Sequence, residues 1–197
     1  MNIAQLASQL KSTQAALILS EENRLYFTGF PSSNGTLLVM PEESAFITDS
    51  RYFEAASNTV TEAQVILQDQ VYQQVFDLLQ KHSCTEILVE SERMTLSELN
   101  KWRKMLPTYS FNVSNRLDTL ANELREVKCE AEVEKMQRAQ DIAEKALEEL
   151  LHILKPGVAE RDLANELEYL MRKFGADGIS FDTIVVSGAN SSKPHGV

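Results

Sequence analysis

The stretch GTLLVMPEESAFITD, residues 35–49, decides the architecture. Two short runs rich in apolar and β-branched residues, 35–40 and 44–49, flank Pro41-Glu42-Glu43. That linker is short and turn-prone, so the two runs read as an antiparallel hairpin. Working outward, similar runs stand at AALILS (15–20), AQVILQ (63–68), EILVES (86–91) and YSFNVS (109–114). Helical periodicity fills the gaps at 51–58, 71–82 and 95–106, and MNIAQLASQLK (1–11) reads as a short amphipathic helix. The 95–106 segment opens with Thr95 and Glu98 in the S/T-x-x-E arrangement of a capping box. Its Leu96, Leu99 and Trp102/Arg103 turn fall on one side, spaced for burial. Strands alternating with helices predict an α/β domain, a mixed sheet with helices packed on it.

After residue 120 the rhythm changes. From Glu126 to Leu154 there is no Gly or Pro. Cys129, Val133, Met136, Ala139, Ala143, Leu147, Leu150 and Leu154 recur by threes and fours as one amphipathic stripe. Such a helix would be roughly 40 Å long at 1.5 Å per residue. Pro156-Gly157 stops it. A second helix follows with Leu163, Leu167, Leu170 and Phe174 inward and Gly175 as its C′ residue, and then a strand, DTIVVS (182–187). Two helices and one strand cannot bury their apolar faces alone, so this half reads as incomplete. The expected domains are 1–120 and 121–197.

Composition narrows the function. The 197 residues carry 29 acidic against 19 basic side chains, a formal charge of −10, which disfavours nucleic acid and anionic membrane surfaces as partners. No apolar run approaches the roughly 18 residues of a membrane span, and the N-terminus has no signal-peptide pattern. Cys84 and Cys129 lie in unrelated segments without metal-ligand spacing, which points to a reduced, cytoplasmic protein.

Chemistry centres on the final loop, SGANSSKPHG (187–196). His82 and His152 end helical patterns, where a cation suits the negative helix terminus. His195 instead follows a strand and a serine-rich loop, between Pro194 and Gly196, where an imidazole can donate a hydrogen bond to a carbonyl or move a proton near neutral pH. Asp177, Asp182 and His195 fit no compact metal motif. The loop has neither the spacing of a phosphate loop nor that of a serine-hydrolase elbow.

Several segments together resemble the creatinase/prolidase/aminopeptidase P ("pita-bread") family, close to bacterial Xaa-Pro peptidases. They are NRLYFTGF (23–30), ITDSRYFEAA (47–56), LREVKCEAEVEKMQRAQDIAEKAL (124–147) and LKPGVAERDLANELEYLMRKFGADGISFDTIVVSGANSSKPHG (154–196). The most specific is GADGISFDTIVVSGANSSKPHG. One departure is Ala159, where the family has Thr or Ser before Glu160; losing that N-cap hydroxyl costs about 1 kcal/mol.

The resemblance implies a ribonuclease-H-like N-terminal domain, then the first two helices and first strand of an α+β pita-bread catalytic domain. NRLYFTGF is then either a core strand or a rim, with Tyr26 and Phe27 packed. The implied activity is hydrolysis of the bond before proline by a dipeptidase or aminopeptidase carrying two divalent ions (manganese, cobalt or zinc). His195 matches the histidine that contacts substrate and stabilises the tetrahedral intermediate. The metal ligands are expected beyond Val197, so the chain itself holds none. It is expected to be a truncated, inactive piece of a cytoplasmic, homodimeric enzyme that acts on proline-containing peptides. The other readings are a metal-free creatinase-like amidinohydrolase and a pseudo-peptidase that binds peptides or histones.

Overall fold

The 35–49 hairpin forms as read. In the computed structural model, which describes residues 2–196, β2 (Thr36–Val39) pairs antiparallel with β3 (Ser44–Thr48), Leu37 opposite Phe46. Met1 and Val197, the outer ends of the two expected domains, lie outside the described residues. β1 (Gln14–Ile18) joins β2 antiparallel on one side and β5 (Glu86–Val89) parallel on the other. β4 (Gln64–Leu67) extends the sheet parallel to β3, and β6 (Ser110–Asn112) extends it parallel to β5. The order is β4-β3-β2-β1-β5-β6, a mixed six-stranded sheet of the ribonuclease-H-like kind.

Helices cover both faces because the central strands are apolar on both. Ala16 and Ile18 of β1 point into one core, with Leu37, Val39 and Phe46. That core is closed by α1 (Asn2–Ser8), α2 (Glu21–Thr28), α3 (Phe53–Thr59) and α6 (Arg116–Glu126), through Leu6, Phe27, Ala56 and Leu117. Ala15 and Leu17 point the other way, under Val75 and Leu79 of α4 (Val71–Lys81) and Leu99 and Trp102 of α5 (Leu96–Met105). The Thr95–Glu98 capping box is present in both directions, at 2.9 and 3.2 Å. Leu96, expected on the packed side of α5, is 79% exposed, and Leu106 takes that place in the core.

Two helices depart from expectation. NRLYFTGF is not a strand but lies largely in α2, whose inward positions include Asn23 and Arg24 as well as Phe27. With polar residues on the buried face, the segment shows no apolar period. Tyr26 is half-buried and donates its hydroxyl to the Leu124 carbonyl of α6 at 2.6 Å. Residue 120 lies within α6, and the two compact units meet between Val127 and Lys128.

In the second unit, α7 (Glu130–Leu151) packs on α8 (Glu160–Lys173) around Ala146, Leu150, Leu163 and Leu170. The continuous stripe from Cys129 to Leu154 is corrected in two ways. Cys129 is extended and serves as the N-cap, its N–H donating to Glu132 at 2.9 Å, so it lies outside the helix. Val133, Met136 and Leu147 are about half exposed or more, at 53, 59 and 49%. At 1.5 Å per residue, the 14 residues of α8 reach along only part of the 22-residue α7. α8 ends as read: Gly175 has φ +106, and the Gly175 and Ala176 N–H groups return to Arg172 and Met171, each at 3.0 Å.

The expected strand DTIVVS is not one. Residues 182–187 form no ladder with any described residue. A β-strand is defined by its neighbour's hydrogen bonds, and apolar alternation alone supplies none.

Candidate functional site

Val185 holds the 182–187 segment to the second unit by packing on the α7–α8 core, while Ile184 stays 52% exposed. At the end of the segment Ser187 donates from its N–H and its Oγ to Glu160 Oε1, at 2.6 and 2.8 Å. Glu160 is the first residue of α8, and its N-cap Ala159 provides no side-chain cap, as the missing hydroxyl predicts.

Two short 3₁₀ turns follow, Gly188–Ser192 and Pro194–Gly196. Within them the Ser191 and Ser192 hydroxyls donate to the Gly188 and Ala189 carbonyls at 2.7 and 2.9 Å. The serines therefore serve the loop's own backbone rather than forming an anion cradle. Gly196, at φ +71, lies so close to Val186 that any Cβ there would collide with it, so the loop closes on its own root. His195 sits exposed at the outer end of this closure with φ +65. Ser83, which follows α4, is the other non-glycine residue with positive φ among those described. A left-handed conformation costs an L-residue roughly 1–2 kcal/mol, which at His195 is offset by closing the loop.

The remaining candidates do not gather with His195. His82 caps α4 and bonds Glu43 at 3.0 Å, and Lys81 bonds the same carboxylate at 2.7 Å. These two hydrogen bonds, Lys81 first, hold the Glu43 carboxyl below its ordinary range. His152 caps α7. Asp177 and Asp182 are exposed, and Asp177 offers its carbonyl to Arg172 at 3.4 Å. Among the described residues no group of three or more His, Cys, Asp or Glu side chains could hold a metal ion. No described helix is long and apolar enough to cross a membrane. Glu160 is the residue that sequence reasoning passed over. It stands 27 positions from Ser187, and no local spacing signals a contact at that range.

The family description Creatinase/Prolidase N-terminal domain matches residues 4–127. The chain belongs to that family. In this creatinase/prolidase chain a second match, to Metallopeptidase family M24, covers residues 134–197. The chain is 35% identical to the uncharacterized peptidase YqhT of Bacillus subtilis, over 92% of this chain and 51% of that protein. It superposes on an X-Pro aminopeptidase from Thermotoga maritima with a TM-score of 0.88 and 31% identity, over 97% of this chain and 55% of that one. An Xaa-Pro dipeptidase from Bacillus anthracis gives 0.83 and 28%, over 92% and 51%. The fold is thus that of a prolidase-type N-terminal domain followed by the start of a pita-bread domain. The chain spans about half the length of these relatives. Family M24 implies divalent metals in full-length enzymes, and the described residues of this chain do not form such a centre.

Proposed function

We propose that this chain is part of a dinuclear-metal Xaa-Pro peptidase, a dipeptidase or aminopeptidase that hydrolyses the bond before proline. The observation that carries the reading is the closed 186–196 loop, which presents an exposed His195 at the position of the histidine in the PHG motif. The likeness to X-Pro peptidases over nearly the whole chain supports it. On this reading His195 donates a hydrogen bond from its imidazole to the scissile carbonyl oxygen, more strongly as that oxygen gains charge in the tetrahedral intermediate. Two divalent ions (manganese, cobalt or zinc) belong to the proposal for the whole protein, with ligands outside this chain. So do a cytoplasmic homodimer and proline-containing peptides as substrates.

The test compares the 197-residue chain with the longer protein it is proposed to belong to, on Xaa-Pro dipeptides and longer peptides with each metal. The longer protein should cleave, the 197-residue chain should not rise above background, and His195→Ala in the longer protein should lower kcat by about 10²–10³. Cleavage by the 197 residues alone would sink the inactive-piece reading. An unchanged kcat in His195→Ala would remove the histidine from the mechanism.

A further inference from the structure

The loop that displays His195 is fixed at its root by a side chain from another element. We propose that Glu160 is a positioning residue for His195, an inference that rests on the role given to His195 above. Both donors of Ser187, the backbone N–H and Oγ, converge on the same oxygen of Glu160, at 2.6 and 2.8 Å. Hydrogen bonds to an ionised carboxylate are roughly twice as strong as neutral ones, and a carboxylate in the first turn of a helix is favoured by the helix dipole. Glu160 is therefore held in one orientation by two donors on a single oxygen.

Three features make this contact decisive for the loop rather than ornamental. Residues 182–187 have no ladder partner among the described residues, so their course is set by Val185 against the helices and by Ser187 on Glu160. The far end of the loop returns at Gly196 onto Val186, the neighbour of Ser187, so a displacement at Ser187 moves both ends together. His195 is bonded directly to Gly196 and sits in a three-residue 3₁₀ turn whose helical course it breaks with φ +65. The chain of constraint runs from the α8 core at Leu163 and Leu170, through Glu160 and Ser187, to the closure that carries the imidazole.

The experiment uses the isotope-labelled 197-residue protein, reading amide exchange at Ser187 and the ring ¹H–¹⁵N signals of His195. Glu160→Ala should speed Ser187 exchange about ten- to hundredfold, as loss of a hydrogen bond to a charged group implies. It should also shift the His195 ring signals while the helical circular dichroism stays constant. Glu160→Gln keeps an acceptor oxygen and should restore most of the protection. Unaltered His195 signals in Glu160→Ala, or a glutamine that restores nothing, would overturn the proposal. Should Glu160→Ala unfold α8, Ser187→Ala carries the same test from the other partner, and a motionless His195 ring there is equally fatal. These readouts do not depend on catalysis. An inactive peptidase with a Glu160-controlled loop sinks the functional reading alone, and an active one with an indifferent Glu160 sinks this inference alone.

Discussion

Glu90 and Arg24 are 1 and 3% exposed, and each is satisfied by a different route. Glu90, just past β5, accepts from the N–H groups of Leu19 and Ser20 and from the Asn23 amide, at 2.7, 2.9 and 2.7 Å, and so ties down the entry to α2. Arg24 donates to the carbonyls of Leu19 and Ser32, and burial lowers its pKa. A buried charge without such partners costs several kcal/mol, and it is these partners that let Arg24 lie on the inward face of α2. The cysteines divide just as sharply. Cys84 is buried, and burial pushes its thiol up, whereas Cys129 is exposed at the start of α7. One thiol per chain should therefore react quickly with a thiol reagent in native buffer and the second only on unfolding, and peptide mapping should find the fast label on Cys129. Fast labelling of Cys84 in the native protein would contradict its burial. The sequence shows the two cysteines in unrelated segments, but nothing near Cys129 announces that it stops short of the helix.

At the scale of elements, β5 is tied to both neighbours by one side chain. Glu86 accepts from Gln14, its register partner on β1, at 2.5 Å and diagonally from Asn112 of β6 at 3.0 Å. The Gln14 amide first, and Asn112 after burial has opposed it, hold this carboxyl below its ordinary range. A depressed carboxyl stabilises the fold above the unfolded pKa, and the contribution is lost as pH falls through the folded value. Glu86→Gln should therefore lower the urea midpoint at pH 7, and the gap should close on acidification below about pH 4, the ordinary glutamate range. A gap of equal size at neutral and acid pH would refute the assignment. The strands were legible because their apolar runs are bounded by turn residues, and α5 because Thr95 and Glu98 announce its start. α2 was hidden because three of its four buried residues, Asn23, Arg24 and Thr28, are polar. The 182–187 segment misled for the opposite reason, since its apolar residues promise a ladder that needs a second strand.

The two units differ in how much core each owns. The first buries two apolar clusters on either side of a six-stranded sheet, whereas the second is held by four buried residues, Ala146, Leu150, Leu163 and Leu170. Local stability follows the buried apolar contacts of each cooperative unit. The single tryptophan, Trp102, lies in the first unit, while α7 and α8 contribute helix to the circular dichroism of the second. In urea the helical signal should begin to fall before the tryptophan emission moves, and coincident curves would show one cooperative transition instead. The placement of His195 at a loop tip was readable from Gly, Ser and Pro around it, but the anchor on Glu160 was not, because it joins residues 27 positions apart. The central position of β1 carries a further consequence for how the chain is made. Gln14 and its partner Glu86 are 72 residues apart, so on a ribosome adding about 5–20 residues per second the nascent β1 waits several seconds for β5. During that interval the β1–β2–β3 meander presents an unpaired apolar edge, so the wait for β5 is a period when the nascent polypeptide is open to wrong pairing and to a chaperone.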